Sequence, residues 1–290
     1  MSINTVINTN VMALTAHRNL SKVGINQSKA NNRLASGKKI NTAADDAAGL
    51  AISDKMKSQI RGLDMASKNA EDATSLIQTA EGSLSEVTNM IQRIRELTVQ
   101  AANDTNTQDD RKKINAEVQQ LKTEINEIAQ RTEFNKRKLT TGAFSASSTN
   151  LFFQVGANSG QSLKLNIGAM DATSLGVADI TSRFSALANS ASGAGAGTAF
   201  SDLIGGLDTA LSTIATQRAN LGANQNRLEY TINNLNVSSE NLSAANSRIE
   251  DADMAKEMMR LTSANVLQQA ATSMLAQANQ APNNITQLLG

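Results

Sequence analysis

The chain has 290 residues, with 27 Lys and Arg against 26 Asp and Glu, a formal net charge of +1. That balance argues against binding nucleic acid by phosphate neutralisation. The absence of Cys excludes disulfides, thiolate nucleophiles and Cys-ligated metals, and the lone His17 excludes His-bearing triads and multi-His metal sites.

Only 2% of residues are aromatic and there is one proline, Pro282, a composition suited to uninterrupted helices and not to an aromatic-lined ligand pocket. No catalytic residue, metal site or cofactor is expected. Residues 2–16 carry no charged side chain, yet Ile7, Val11 and Leu14 recur at helical spacing. The first twenty residues lack a basic region followed by an unbroken apolar run, so no cleavable secretory signal is expected. Asp45, Asp46 and the small residues Ala47, Ala48 and Gly49 then read as a helix N-terminus, with Thr42 or Asp45 as its cap.

The strongest signal follows. Ala70, Ala73, Ile77, Ala80, Leu84, Val87, Ile91 and Ile94 step alternately by three and four, the spacing of a coiled-coil seam. A helix is predicted from about Ser58 to Ala102, which at 1.5 Å per residue is roughly 65 Å long. A compact globule of this size is only about 50 Å across, so an elongated molecule is expected. Within QRIRELTVQ on that helix, Arg93, Leu97 and Gln100 are spaced to share one face beside the seam, near Gln92. The polar run 103–110 breaks the pattern. A second seam holds Ile114, Val118, Leu121, Ile125 and Ile128.

The period then changes to two. Leu151, Phe153 and Val155, and Leu163, Leu165 and Ile167, alternate around GANSGQS and predict a β-hairpin. SASGAGAGT, residues 190–198, predicts a flexible turn. A third seam runs from Leu207 through Leu211, Ile214, Leu221, Leu228, Ile232, Leu235 and Leu242 to Ile249. Arg218, Gln225, Ser239 and Asn246 occupy its skipped positions, where polar residues set register. Asp251 and Asp253 favour the start of a last helix. From Leu261 to Gly290 no residue is charged, while Val266, Ala270, Met274 or Leu275, and Ala278 keep helical spacing. Two charge-free helices fit surroundings of protein on every side, where unpaired charge is costly. The ends are therefore expected to meet each other, and then copies of themselves. Met254, Met258, Met259 and Met274, with Met56 and Met65, read as seam packing. No stretch approaches the ~18 apolar residues of a membrane span.

Several long segments carry a resemblance. VINTNVMALTAHRNL near the start, RLASGKKINTAADDAAGLAISDKM at 33–56, Met65 to Asp104, and SSENLSAANSRIEDADMAKEMMRLTSANVLQQAATSMLAQANQAPNNITQLL through Leu289 are similar to the bacterial flagellins. The similarity covers both arms, roughly 1–140 and 200–290, and weakens between them. It implies a mainly α fold: an elongated antiparallel helical coiled-coil bundle of the two arms, a small β-hairpin region and little or no outer variable domain. The implied divisions are 1–45, an N-terminal inner-core helix; 46–140, the N-terminal arm of the rod; 141–200, hairpin and short tip; 201–250, the C-terminal arm; and 251–290, a C-terminal inner-core helix.

The function it implies is a non-enzymatic subunit that self-assembles into the extracellular flagellar filament, with a hook–filament junction protein as the alternative. Implied partners are copies of itself, hook-associated and cap proteins, an export chaperone and the type III export apparatus, with neither nucleic acid nor membrane among them. The flagellin-sensing Toll-like receptor is a further implied partner, through Gln92, Arg93, Leu97, Gln100 and Glu117. Ile7, Val11, Leu14, Val266, Met274 and Leu275 are assigned to the polymerisation core, and Asp45, Asp46 and Gly49 to a spoke between layers.

Overall fold

The computed structural model describes residues 9–145, 150–190 and 196–289. Its helices are α1 (Val11–Ser36), α2 (Ala47–Ala101), α3 (Gln108–Arg131), α4 (Val177–Ser190), α5 (Ala196–Glu250) and α6 (Met254–Leu289). Four short strands are β1 (Glu133–Phe134), β2 (Arg137–Lys138), β3 (Leu151–Gln154) and β4 (Ser162–Leu165). The chain divides into two compact units, Arg61–Ser239 and the pairing of Met1–Ile60 with Glu240–Gly290.

In the unit Arg61–Ser239 all eight positions of the first seam, Ala70 to Ile94, are buried. They share one core with Ile114, Val118 and Ile125 of α3 and with Leu207, Ile214, Leu221 and Leu228 of α5. Three polar contacts fix the direction of α5 along α2. Arg95 meets Asp208 at 2.8 Å, Arg218 meets Glu81 at 3.5 Å, and Ser239 donates to Asp64 at 2.9 Å. As one number falls the other rises, so the two helices are antiparallel. Arg218 and Ser239, which hold seam positions, thus pair across the two helices, as a register-setting polar residue should.

The polar run after α2 is a reversal held by its own chemistry. Thr107 and Asp110 form a reciprocal capping box at the start of α3. The buried Arg111 donates to the Ala101 carbonyl at 3.1 Å and the Asn103 carbonyl at 3.3 Å, capping the end of α2. Its guanidinium lies 5.6 Å from the centre of the Phe200 ring, which packs edge-on against Phe184.

β3 and β4 pair antiparallel with Leu151 opposite Leu165 and Phe153 opposite Leu163, the predicted hairpin. Two elements are additional. β1 and β2 form a tight hairpin whose turn residues, Asn135 and Lys136, both take positive φ. Helix α4 buries Val177, Ile180, Phe184 and Ala188, a three-four-four spacing, and runs antiparallel to α3 through Gln119 to the Thr181 carbonyl and Asn115 to Ser185. Among the described residues no larger domain is inserted between the arms. Of the stretch 190–198 predicted as a turn, Ser190 ends α4 and 196–198 begin α5, and residues 191–195 lie outside the described residues.

In the other unit α1 lies antiparallel against α6. Gln27 donates to Asn265 at 2.7 Å, and Asn10, which caps α1 by accepting from the Ala13 amide, also donates to the Ala278 carbonyl at 2.7 Å. Helix α1 ends where Gly37 takes φ of 70°, a left-handed cap that favours glycine. Helix α2 starts at Ala47, at the helix N-terminus predicted for Asp45–Gly49, with Asp46 as its cap, and runs unbroken through Ser58, where the seam helix is predicted to begin. The methionine reading needs correction. Met254, Met258, Met259, Met274 and Met65 are exposed, so in the single chain they pack no seam.

Candidate functional site

Three places gather the residues singled out by sequence. The first is the α1–α6 pair. Ala30, Ala264 and Ala278 are buried where the helices meet, and small residues let two helices approach closely. The larger apolar side chains point away. Val11, Met12, Leu14, Val266, Leu267 and Met274 are all exposed, and Leu275 is half-buried. Val11, Met12, Ala16, Leu267, Ala270 and Met274 line a groove of about 500 Å³. Ile7 lies outside the described residues. Further along the same pair, Glu257 is buried, and Arg33 and Arg260 approach it at 3.5 and 2.5 Å.

The second place is the link between α1 and α2, where the C-terminal arm passes. Asp45 accepts from the Thr42 and Asn41 amides and the Thr42 hydroxyl, which hold its carboxyl below the usual range. It therefore closes a turn, and the helix cap is Asp46, which accepts from the Gly49 amide at 2.9 Å; neither Thr42 nor Asp45 caps α2. Gly49 fits because a Cβ there would stand 2.6 Å from the Asp46 Oδ2 and 2.7 Å from the Ile40 Cδ1. Asp46→Ala is expected to cost about 1 kcal/mol, the usual worth of an N-cap. Thermal unfolding should show a Tm lower by a few degrees, and an unchanged Tm would remove Asp46 as the cap.

Sequence reading missed the centre of this link, Glu250. Its side chain is 3% exposed and accepts from Ser53 at 2.5 Å and Lys57 at 2.6 Å, with Lys38 at 2.7 Å. Burial pushes its pKa up, but hydrogen bonds from Lys38, Lys57 and Ser53 outweigh burial and bring it to about 2. The same interactions raise Lys38. The Glu250 carbonyl accepts from the Lys39 amide at 2.6 Å, and the Ala252 amide donates to the Gly37 carbonyl at 2.9 Å. Backbone and side chain together bind α5's end to the α1–α2 link.

The third place is on α2 and α3. Arg93 donates to Glu117 at 2.9 Å and to Glu96 at 3.1 Å, all three at the surface, and both carboxylates raise the Arg93 pKa. Gln92 and Gln100 are exposed. Leu97 is not part of this surface. It is 2% exposed and belongs to the buried core, so the expected Arg93–Leu97–Gln100 face is corrected to a polar patch above a buried leucine. Among the described residues no three His, Asp or Glu side chains are grouped to hold a metal ion, and no helix is long and apolar enough to cross a membrane.

Residues 7–145 match the family model for the bacterial flagellin N-terminal helical region, and residues 204–289 match that for the bacterial flagellin C-terminal helical region. The chain is 48% identical over 304 residues to a flagellin of Bacillus subtilis, covering 98% of this chain and 99% of that one. It is 46% identical over 290 residues to the flagellar filament 33 kDa core protein of Treponema phagedenis, again covering 98% and 99%. Among solved structures, Bacillus cereus FlgL aligns with a TM-score of 0.52 at 18% identity, over 67% of this chain and 99% of that one, which shows a shared fold.

Proposed function

The chain belongs to the bacterial flagellin family, and from that premise we propose that it is a structural subunit that polymerises into an extracellular flagellar filament for swimming. The observation that carries the proposal is one end of the α1–α6 pair, where residues 11–16 and 261–280 hold no charge and Val11, Met12, Leu14, Val266, Leu267 and Met274 are exposed. A lone chain leaves that surface wet, and other copies of the chain would bury it. Contacts of this kind that repeat head to tail without closing give an open helix. In this reading Ile7, Val11, Leu14, Val266, Met274 and Leu275 form the polymerisation core. Asp45, Asp46 and Gly49 form the link, or spoke, between an inner layer (1–45 and 251–290) and the outer arms (46–140 and 201–250), with 141–200 as the tip. Hook-associated and cap proteins, an export chaperone and the type III export apparatus are the remaining partners. No catalysis is assigned.

Concentrating the purified chain and sedimenting it at high speed tests this. Long fibres in the pellet, seen by electron microscopy, are the expected result. A chain that stays monomeric at every concentration would favour a junction protein present in few copies. The full-length similarity to filament proteins favours the first outcome.

We also propose that the patch of Gln92, Arg93, Gln100 and Glu117 is read by the flagellin-sensing Toll-like receptor. Support comes from the exposed Arg93–Glu117 pair, whose guanidinium remains open to a partner. Leu97 enters only as the buried support beneath that patch. Arg93→Ala should weaken reporter-cell signalling by purified monomer on the order of ten-fold, because interface arginines are frequent hot spots. Circular dichroism should show the helices intact. A dose–response equal to that of the parent would leave Arg93 as a surface ion pair only.

A further inference from the structure

Met12 and Met274 stand 62% and 64% exposed, and they face the same groove of about 500 Å³, one from α1 and one from α6. Their neighbours there include Val11, Ala16, Leu267 and Ala270. Met65, Met254, Met258 and Met259 are also exposed but line no part of this groove, and two others are sheltered. Met170 is buried and Met90 packs against the core of the other unit. The two groove sulfurs are therefore open to a small oxidant that cannot reach those of the core.

We propose that Met12 and Met274 form an oxidation-sensitive site on the free chain, where an oxidant of the hydrogen peroxide class makes sulfoxides that block assembly. The thioether sulfur attacks one peroxide oxygen. The S–O bond forms, the O–O bond breaks, and the second oxygen leaves as water after taking up the proton. Sulfur loses two electrons and peroxide gains them, so the step needs no other reactant. The product replaces a flexible apolar tip by a polar, strongly accepting one. In a lone chain water satisfies the new oxygen. In a covered groove few donors remain. The Thr15 hydroxyl already donates to the Val11 carbonyl at 2.9 Å, and Asn19 is one side chain against two sulfoxides. Burying an acceptor without a partner opposes association. Methionine sulfoxide can be reduced enzymatically, so the block is reversible.

The proposal rests on the reading that copies of the chain cover this groove, and the test separates the two. Monomer is treated with dilute hydrogen peroxide, sulfoxides are mapped by peptide mass spectrometry, and the concentration needed for polymerisation is measured before and after. The same is done with M12L/M274L, since leucine keeps the volume and cannot be oxidised. Parent chain oxidised at both positions should need about ten-fold more protein to polymerise, and treatment with methionine sulfoxide reductases should restore it. Whatever concentration the double variant needs untreated, it should need the same after peroxide, although its exposed Met65, Met254, Met258 and Met259 remain oxidisable. Preassembled polymer should keep both sulfurs reduced at the same dose. If oxidised parent polymerises like untreated parent, or if the double variant loses as much as the parent, the proposal is overturned and the assembly reading stands. If untreated parent never polymerises, both fall.

Discussion

Val266→Glu is expected to abolish polymerisation and leave the monomer folded. Val266 is 61% exposed in the single chain, so a carboxylate there meets water and the helix tolerates it. If the α1–α6 surface is covered in the polymer, the same carboxylate is buried with no charged partner on its own segment, because Leu261 to Gly290 holds no basic residue. An unpaired buried charge costs about 3–5 kcal/mol, and the cost recurs at every subunit. Sedimentation should find the variant in the supernatant at concentrations where the parent pellets, with matching circular dichroism and thermal unfolding. Normal fibres from the variant would place this face outside the assembly contacts. Removing residues 261–290 should have the same effect on polymerisation, while the unit Arg61–Ser239 keeps its own core.

Glu250→Ala should destabilise the fold itself. The substitution strips the Ser53 hydroxyl and the Lys38 and Lys57 ammonium groups of their shared acceptor. Breaking a buried ion pair from one side costs about 3–5 kcal/mol. Both lysines keep partial access to water, which places the expected loss near the lower end, about 3 kcal/mol. Urea unfolding followed by circular dichroism reads it as a lower midpoint. The dependence on pH has a definite sign. The Glu250 carboxyl falls from its ordinary 4.5 to about 2 in the folded chain, so its contribution is complete above 4.5 and fades as pH drops towards 2. Asp45, Asp110 and Asp171 are lowered too, so the parent alone cannot isolate the Glu250 share. The difference between parent and variant can, and it should shrink between pH 4.5 and 2. A constant difference across that window would show that the carboxylate is not what holds the link.

The seams were legible because burial on a long helix repeats. From Ala70 to Ile94 the three-four spacing names the buried face, and the structure buries each position. Helix α4 carries the same kind of signal in Val177, Ile180, Phe184 and Ala188, but it is short and lies between the two segments that the family models match. The turn of β1 and β2 had only Asn135 as a cue, since Lys136 is an unusual residue for positive φ. Leu97 went astray because periodicity gives a direction around one helix and says nothing of what packs there. Its stripe is claimed by the core it shares with α3. The methionines of α6 failed for a related reason. Apolar spacing marks a surface to be covered without saying whether the cover is the same chain. Glu250 lay out of reach because its partners, Lys38, Ser53 and Lys57, are about two hundred residues away and come together only through the fold.

The central claim is that the charge-free end of the α1–α6 pair, residues 11–16 and 261–280, is closed by other copies of this chain, and an electron cryomicroscopy map of the assembled material tests it most directly. The account predicts density from neighbouring subunits over Val11, Met12, Val266 and Met274, with the groove they border filled by protein. Fibres in which those side chains face solvent, held together by the unit Arg61–Ser239 alone, would contradict it.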